Sequence, residues 1–295
     1  MHDASTRRYR WGGSMEFLVK SKFNSIQWIT SLKPFERGAT VRVLEDLQTV
    51  CAGRGLPLEV HYPKTADAFL ALLHRMAEDA DAGMTPLLHL DMHGSKDGGL
   101  AIEATGESIT WLILADALRQ INAASRNNLC VFSGACFSFH AVSQIDITKA
   151  AAFYILVAPE HDITGGELEE NTLGLYRDIL SGVDIIAAVA DRFGDRMRYF
   201  HCEEMFANIL YAYLDEKAVG KNKRARIEDR VTKAVEWGAH TDSAALSKLR
   251  RLAAALVEPT EDLIDRHGGE FLAGRKPGFT VRQLVEEALR NRHSR

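Results

Sequence analysis

Two short segments of the sequence carry the residue types that a thiol-dependent hydrolase needs. In PLLHLDMHGSKDGG, residues 86–99, an apolar run ends at His93-Gly94. In NLCVFSGACFS, residues 128–138, a second apolar run ends at Cys136. Cysteine attacks as the thiolate, and an imidazole is a common partner for the thiol proton. His93 and Cys136 are therefore the candidate general base and nucleophile.

Small residues beside these two candidates would leave room for the carbonyl group of a substrate. Gly94 permits a close backbone approach next to His93, and Gly134-Ala135 keeps the path to the sulfur clear. Acyl transfer also requires hydrogen-bond donors for the oxyanion that forms. The backbone N–H groups of Gly94 and Cys136 are the predicted donors.

The elements that must position these residues alternate between strands and helices. Apolar runs predict strands at 25–32, 56–62, 86–92, 129–133 and 154–158, with amphipathic helices and a hairpin at 100–111 between them. This order predicts an α/β fold with a mainly parallel sheet and helices on both faces, whose ligands gather at the carboxyl ends of the strands. The strands that end near His93 and Cys136 are expected to be neighbours.

From about residue 166 onward the periodicity is helical and predicts no further strand. We therefore expect a flexible leader over residues 1–20, a sheet domain over 21–195 and a helical C-terminal region over 196–295. The amphipathic helices of that region need a partner surface, which is either their own core or a regulatory partner protein.

Composition narrows the classes of function. The 295 residues carry 36 Lys and Arg against 40 Asp and Glu, a balance that argues against general nucleic-acid binding. No apolar run approaches the roughly 20 residues of a membrane span. The N-terminus lacks the apolar core of a signal peptide, and the four cysteines show no CxxC spacing. These features favour a cytoplasmic protein without a membrane span.

The two reactive segments resemble the caspase-like cysteine peptidases of clan CD, and within them the CHAT peptidases. That clan places an apolar block before His-Gly and a second one before a small residue and Cys, as in LLHLDMHG and LCVFSGAC here. The segment YILVAPEHDITGGELEENTLGLYRDILSGVDIIAAV, residues 154–189, is similar to the CHAT strand, acidic loop and following helices. The resemblance covers roughly residues 25–195.

The resemblance implies a caspase-like fold and an endopeptidase that uses His93 as base and Cys136 as nucleophile, with no metal or other cofactor. It also implies a bacterial defence or programmed cell death pathway. In such a pathway the substrate is one specific partner protein, for instance a pore-forming protein encoded nearby.

The resemblance places part of the S1 pocket in the loop after Val157, where Asp162 matches an acidic position of CHAT sequences. Glu160 lies two residues before it, and Asp91 is a third candidate. Carboxylates in such a pocket would favour Arg or Lys before the cut. Ala158-Pro159 stands where CHAT sequences often have Trp-Pro. A solvated loop charge is an equally good interpretation of Asp162, because the following GGELEEN stretch is also acidic.

Two other functions are compatible with the sequence. His89, Asp91 and His93 alternate along one strand face and could bind zinc together with His161 or Asp162, which would indicate a metal-dependent hydrolase. Alternatively, a catalytically silent caspase-like scaffold would keep the same fold and bind a partner through its helical region.

Overall fold

The computed structural model describes residues 17, 21–217 and 220–293. The leader predicted over residues 1–20 lies outside the described residues, apart from Phe17. The described chain divides into two compact units. One comprises residues 21–202 with 270–275, and the other comprises Phe17 with the described parts of 203–269 and 276–295.

The first unit contains eight strands among the described residues. They are β1 Ser25–Ser31, β2 Leu58–His61, β3 Pro86–Ser95, β4 Gly99–Ile102, β5 Glu107–Ile109, β6 Cys130–Ser133, β7 Ile155–Ala158 and β8 Arg198–His201. Its α-helices are α1 Gly38–Ala52, α2 Ala66–Asp81, α3 Trp111–Ala124, α4 Gly165–Leu180 and α5 Ile185–Phe193. Two 3-10 helices cover Ser138–Gln144 and Gly194–Arg196.

The main sheet has the strand order β2-β1-β3-β6-β7-β8, and all of its pairings are parallel except that of β7 with β8. Right-handed crossovers between the parallel strands put α1 on one face of the sheet and α2 and α3 on the other. The helices pack accordingly, α1 against α4 and α2 against α3. The predicted α/β class, with a mainly parallel sheet covered on both faces, is confirmed.

The hairpin of β4 and β5 extends the carboxyl end of β3. The last three residues of β3 no longer pair with the main sheet. They pair antiparallel with β4, which in turn pairs with β5. β3 is therefore longer than the predicted strand at 86–92, because its last three residues belong to a second pairing. The predicted hairpin at 100–111 is confirmed.

β8 corrects the expectation that no strand follows residue 166. Arg198–His201 pairs antiparallel with β7 at the edge of the sheet. Arg198 and Tyr199 are exposed while the other two residues are buried, so the segment lacks the apolar run that marks the central strands. The boundary expected at residue 195 consequently falls before the last strand of the sheet.

His89 is buried inside the sheet unit and joins β3 to α4. Its ring stacks on that of Trp28 with centroids 3.4 Å apart, and its Nδ1 lies 2.9 Å from the hydroxyl oxygen of Tyr176. Burial lowers the pKa of His89 well below its ordinary value. The imidazole is therefore a neutral part of the core.

His201 on β8 is the second buried histidine of the sheet unit that stays neutral. Its ring meets that of Tyr154 edge to face, with centroids 5.0 Å apart. Burial, assisted by the positive charge of Arg275, lowers the pKa of His201 to about 4.

The second unit is helical, as predicted for the C-terminal region. Its helices are α6 Cys202–Lys217, α7 Gly220–Glu236, α8 Ser243–Val257, α9 Asp262–Phe271 and α10 Val281–His293, of which the first residue of α6 and the last two of α9 are assigned to the first unit. α7 packs against α8, where Arg250 Nε lies 2.8 Å from Glu228 Oε1. Of the helices described, none is both long and apolar enough to cross a membrane.

We expect the protein to lose stability as the pH falls below about 6.5. In the unfolded chain His89 and His201 take up protons near that pH, whereas in the fold His201 does so only near pH 4 and His89 also well below its ordinary pKa. The unfolded state then binds more protons, so the free energy of unfolding decreases by up to about 1.4 kcal/mol per pH unit for each histidine.

Urea unfolding followed by circular dichroism at pH 7.5, 6.5 and 5.5 measures this slope. His201→Gln should give a shallower slope than the wild type, and the exposed His74→Gln should give the same slope. Equal slopes for the wild type and His201→Gln would contradict the prediction.

Candidate active site

His93 lies in β3 just beyond the parallel pairings of that strand, and Cys136 follows the neighbouring strand β6 at the carboxyl edge of the sheet. Leu87–Leu90 of β3 pairs with Cys130–Ser133 of β6, and the N–H of Gly134 donates to the carbonyl of Leu90 at 2.8 Å. The predicted adjacency of the two strands is thus confirmed.

The two segments meet at Gly94. A Cβ at this position would lie 2.3 Å from the carbonyl oxygen of Cys136 and 3.2 Å from the Cβ of Ala135. Heavy atoms do not approach so closely, so only glycine allows the two backbones to pass here. The His-Gly and Ala-Cys motifs are therefore in direct contact.

Cys136 is the one cysteine of the four that is not buried. Burial raises the pKa of Cys51, and it raises that of Cys130 to about 11, so both of these thiols stay protonated at neutral pH. The sulfur of Cys136 accepts the N–H of Ile163 at 3.4 Å and lies 3.6 Å from the carbonyl oxygen of the same residue. Cys136 is thus the accessible thiol, held against the loop that follows β7.

The turn after Cys136 is sharp and fixed at both sides. Phe137 has a φ of +60°, the left-handed region, which costs a non-glycine residue on the order of 1 kcal/mol. Its N–H donates to the carbonyl of His161 at 3.3 Å, and that of Phe139 donates to Pro159 at 3.1 Å. These bonds to the β7 loop hold the strained turn.

The N–H of Cys136 has no hydrogen-bond acceptor in the described part of the chain. An N–H that starts the turn after a strand and lies beside a half-exposed sulfur is suited to receive the oxygen of a tetrahedral intermediate. Gly94, the second predicted donor, pairs with Leu100 of β4.

The imidazole of His93 bonds to Glu36, a residue that the sequence analysis did not select. His93 Nε2 lies 3.1 Å from Glu36 Oε2 in the loop between β1 and α1. The bond to His93, supported by the N–H of Lys33, holds the pKa of Glu36 below its ordinary value. With Nε2 engaged, Nδ1 is the ring nitrogen left for a second partner.

Glu36 gave only a weak signal in the sequence. It follows a predicted strand, and the loops after parallel strands share one edge of the sheet. However, Lys33 and Arg37 lie in the same short loop, and nothing in the order of residues singles out the one that faces His93.

The alternating residues of β3 do not converge on one point. His89 is stacked in the core, whereas the carboxylate of Asp91 accepts the hydroxyl of Thr40 on α1 at 2.7 Å. Burial raises the pKa of Asp91, while the hydroxyl of Thr40 acts in the opposite direction. Throughout residues 17, 21–217 and 220–293, no group of three His, Cys, Asp or Glu side chains is arranged to hold a metal ion.

The three carboxylates predicted for the S1 pocket lie in different surroundings. Asp162 is exposed in the loop after β7, next to Ile163, which contacts the sulfur. Glu160 is half-buried, with Oε2 3.9 Å from Nε of Arg198. Asp91 is buried against α1. Asp162 is therefore the candidate whose position adjoins the thiol.

No protein-family model matches the chain, and no curated protein matches its sequence. The geometry of the site and the motifs of the sequence are therefore the basis on which a function can be assigned.

We expect Gly94→Ala to disturb the site because its Cβ would meet the Cys136 carbonyl at 2.3 Å. Relief requires a backbone shift, and overpacking of this kind lowers the free energy of unfolding by about 1–3 kcal/mol. Urea unfolding measures the loss. Gly165→Ala, where a Cβ would meet nothing within 4 Å, is the matched control and should change stability by less than about 1 kcal/mol. Equal effects at the two positions would refute the close approach.

Proposed function

We propose that the protein is a cysteine endopeptidase in which Cys136 is the nucleophile and His93 the general base. The observation that carries this proposal is the contact of the His93-Gly94 backbone with that of Cys136, beside a thiol that is not buried. The motif resemblance to caspase-like CHAT peptidases supports the same assignment.

In the proposed mechanism His93 accepts the proton of the Cys136 thiol, and the thiolate attacks the carbonyl carbon of the scissile peptide bond. The N–H groups of Gly94 and Cys136 stabilise the oxyanion. The imidazolium then protonates the leaving amine, and the C–N bond breaks. A water molecule, deprotonated by His93, finally hydrolyses the thioester and releases the thiol.

Glu36 has a defined part in this scheme. Its carboxylate holds Nε2 of His93 and thereby restrains the ring, which leaves Nδ1 as the nitrogen that would accept the thiol proton. It also stabilises the imidazolium that forms when the thiol is deprotonated, as a carboxylate does behind other catalytic histidines.

The proposal extends to the substrate. The exposed carboxylate of Asp162, with Glu160 nearby in the same loop, favours a basic side chain before the cut. The resemblance to CHAT peptidases further suggests one specific partner protein as substrate, for instance a pore-forming protein encoded nearby, in a bacterial defence or cell death pathway.

We expect the wild-type protein to cleave members of a proteome-derived peptide library, with Arg or Lys before the cut. Cys136→Ala removes the nucleophile and His93→Gln removes the base, so both variants should lose cleavage by at least about 100-fold. Mass spectrometry of the new peptide termini measures rate and specificity together. His74→Gln, an exposed histidine on α2, is the control and should retain full activity.

Cleavage that survives Cys136→Ala and stops with a chelator would replace the thiol mechanism by a metal-dependent one. Identical peptide profiles before and after incubation with the wild type would favour the non-catalytic scaffold.

Glu36→Gln is expected to lower kcat by up to about 100-fold and to leave KM nearly unchanged, because the variant loses the orientation and the charge behind His93 but no contact with substrate. Steady-state kinetics on the best library peptide measures kcat and KM separately. Glu45→Gln, an exposed glutamate of α1, serves as control. A Glu36→Gln enzyme with wild-type kcat would show that His93 needs no carboxylate.

A further inference from the structure

Arg196 is tied to the loop that holds the sulfur of Cys136. It ends the 3-10 helix Gly194–Arg196, and its Nε and Nη2 donate to Glu167 at 2.5 and 3.2 Å. Nη2 also donates to the backbone carbonyl oxygen of Asp162 at 2.9 Å. The guanidinium thus bridges the start of α4 and the β7 loop.

The carbonyl that Arg196 binds and the N–H that Cys136 accepts belong to one peptide group. The oxygen is that of Asp162, and the nitrogen is that of Ile163, whose N–H donates to the sulfur at 3.4 Å. In a trans peptide the C=O and N–H point in opposite directions. The cation therefore lies at the oxygen end of this dipole, and the sulfur lies at the hydrogen end.

A cation at the oxygen end strengthens the donor at the other end. The guanidinium draws electron density towards the carbonyl oxygen and leaves the N–H more positive, because hydrogen bonds in a chain polarise one another. A thiolate accepts a hydrogen bond more strongly than a thiol does, so the polarised N–H favours the ionised sulfur.

The guanidinium of Arg196 is fixed by an ion pair with Glu167. Arg196 and then Thr164 lower the pKa of Glu167 to about 2, so this carboxylate is ionised throughout the neutral range. Glu167 also forms a capping box with Thr164 at the start of α4. In return Glu167 raises the pKa of Arg196, with smaller contributions from Asp162 and Cys136. The ion pair thus keeps the guanidinium charged and fixed against the β7 loop.

We propose that Arg196 is a positioning residue that stabilises the thiolate of Cys136 through the Asp162–Ile163 peptide group. This inference rests on the proposed function in taking Cys136 as the nucleophile. It nevertheless concerns the reactivity of the thiol towards any electrophile, and it is testable without a peptide substrate.

Of the other titratable groups around the sulfur, some favour the thiolate and others disfavour it. His93 on β3, when protonated, favours the thiolate, and Glu36 lies behind it. Asp162, in the β7 loop with His161, disfavours the thiolate by its carboxylate, and Glu167 on α4 partly offsets the guanidinium. A histidine loses its charge as the pH rises, whereas an arginine keeps its charge at every pH that proteins tolerate. Arg196 therefore supplies the positive charge that persists above neutrality.

Alkylation of the full chain by iodoacetamide tests the proposal. The Cys136 thiolate displaces iodide and forms an S–C bond, while the thiol proton passes to solvent. Mass spectrometry of the Cys136 peptide gives the rate between pH 5.5 and 9.5, with the buried Cys130 as internal reference. We expect Arg196→Gln to move the half-maximal pH upward by about one unit and to reduce the rate at pH 6.5 about tenfold.

The plateau rate at high pH is the readout that a merely structural role would not give. It should equal or exceed that of the wild type, because a more basic thiolate is intrinsically the better nucleophile. Arg196→Lys keeps the charge and one donor but loses the bidentate bond, and its half-maximal pH should lie between those of the wild type and Arg196→Gln. Arg192→Gln, which removes an arginine paired with Asp178 on α4, is the matched control and should leave the profile unchanged.

An unshifted profile in Arg196→Gln, a rate reduced equally at all pH values, or a profile of Arg196→Lys identical to that of Arg196→Gln would overturn the proposal. Failure of the proposed function is distinguishable. In that case the wild type cleaves no peptide, yet the shift in alkylation is still observed. Conversely, peptide cleavage that requires Cys136, combined with an unshifted profile, would overturn the role of Arg196 alone.

Discussion

The site depends on the close passage of two backbones, that of Gly94 and that of Cys136. Parallel pairing of β3 with β6 brings both chains to the same edge of the sheet, and β3 then continues outward while the chain after β6 turns. The turn and the extended strand occupy the same space unless position 94 carries no side chain. A single glycine thereby sets how near an imidazole on one strand lies to a thiol on the next.

The side chains around this contact come from four different strand ends. Glu36 follows β1, His93 lies near the end of β3, Cys136 follows β6 and Ile163 follows β7. Right-handed crossovers lead the chain after β1 to one face of the sheet and after β3 and β6 to the other, and α4, which follows β7, packs against α1. In open α/β sheets, ligands bind outside the carboxyl edge where such loops diverge. The fold supplies the position, and the loops supply the chemical groups.

The sequence predicted this frame well, because apolar runs and their spacing report directly on buried strands and helix faces. β6 and β7 have all residues buried, and their predicted bounds agree within one residue. β8 was missed because half of its side chains are exposed. The alternation of polar residues predicted that His89 and Asp91 share one face of β3, but it did not predict how deeply they are buried. Their burial depends on the rings of Trp28 and Tyr176 around His89 and on the hydroxyl of Thr40 beside Asp91. Glu36 was missed because its partner is 57 residues away in the chain.

The two charges added by the structure act in the same direction. A carboxylate lies behind the imidazole, and a guanidinium lies behind the peptide group that faces the sulfur. In the proposed mechanism the negative charge would stabilise an imidazolium and the positive charge a thiolate, so both would favour transfer of the proton from Cys136 to His93. The side chains of Glu36 and Arg196 are both partly exposed, so solvent screens their charges. The ion pair with Glu167 further reduces the direct Coulomb effect of Arg196. Solvent weakens the 2.9 Å hydrogen bond to the Asp162 carbonyl less, and in our proposal this bond passes the influence of the cation to the sulfur through one rigid peptide plane.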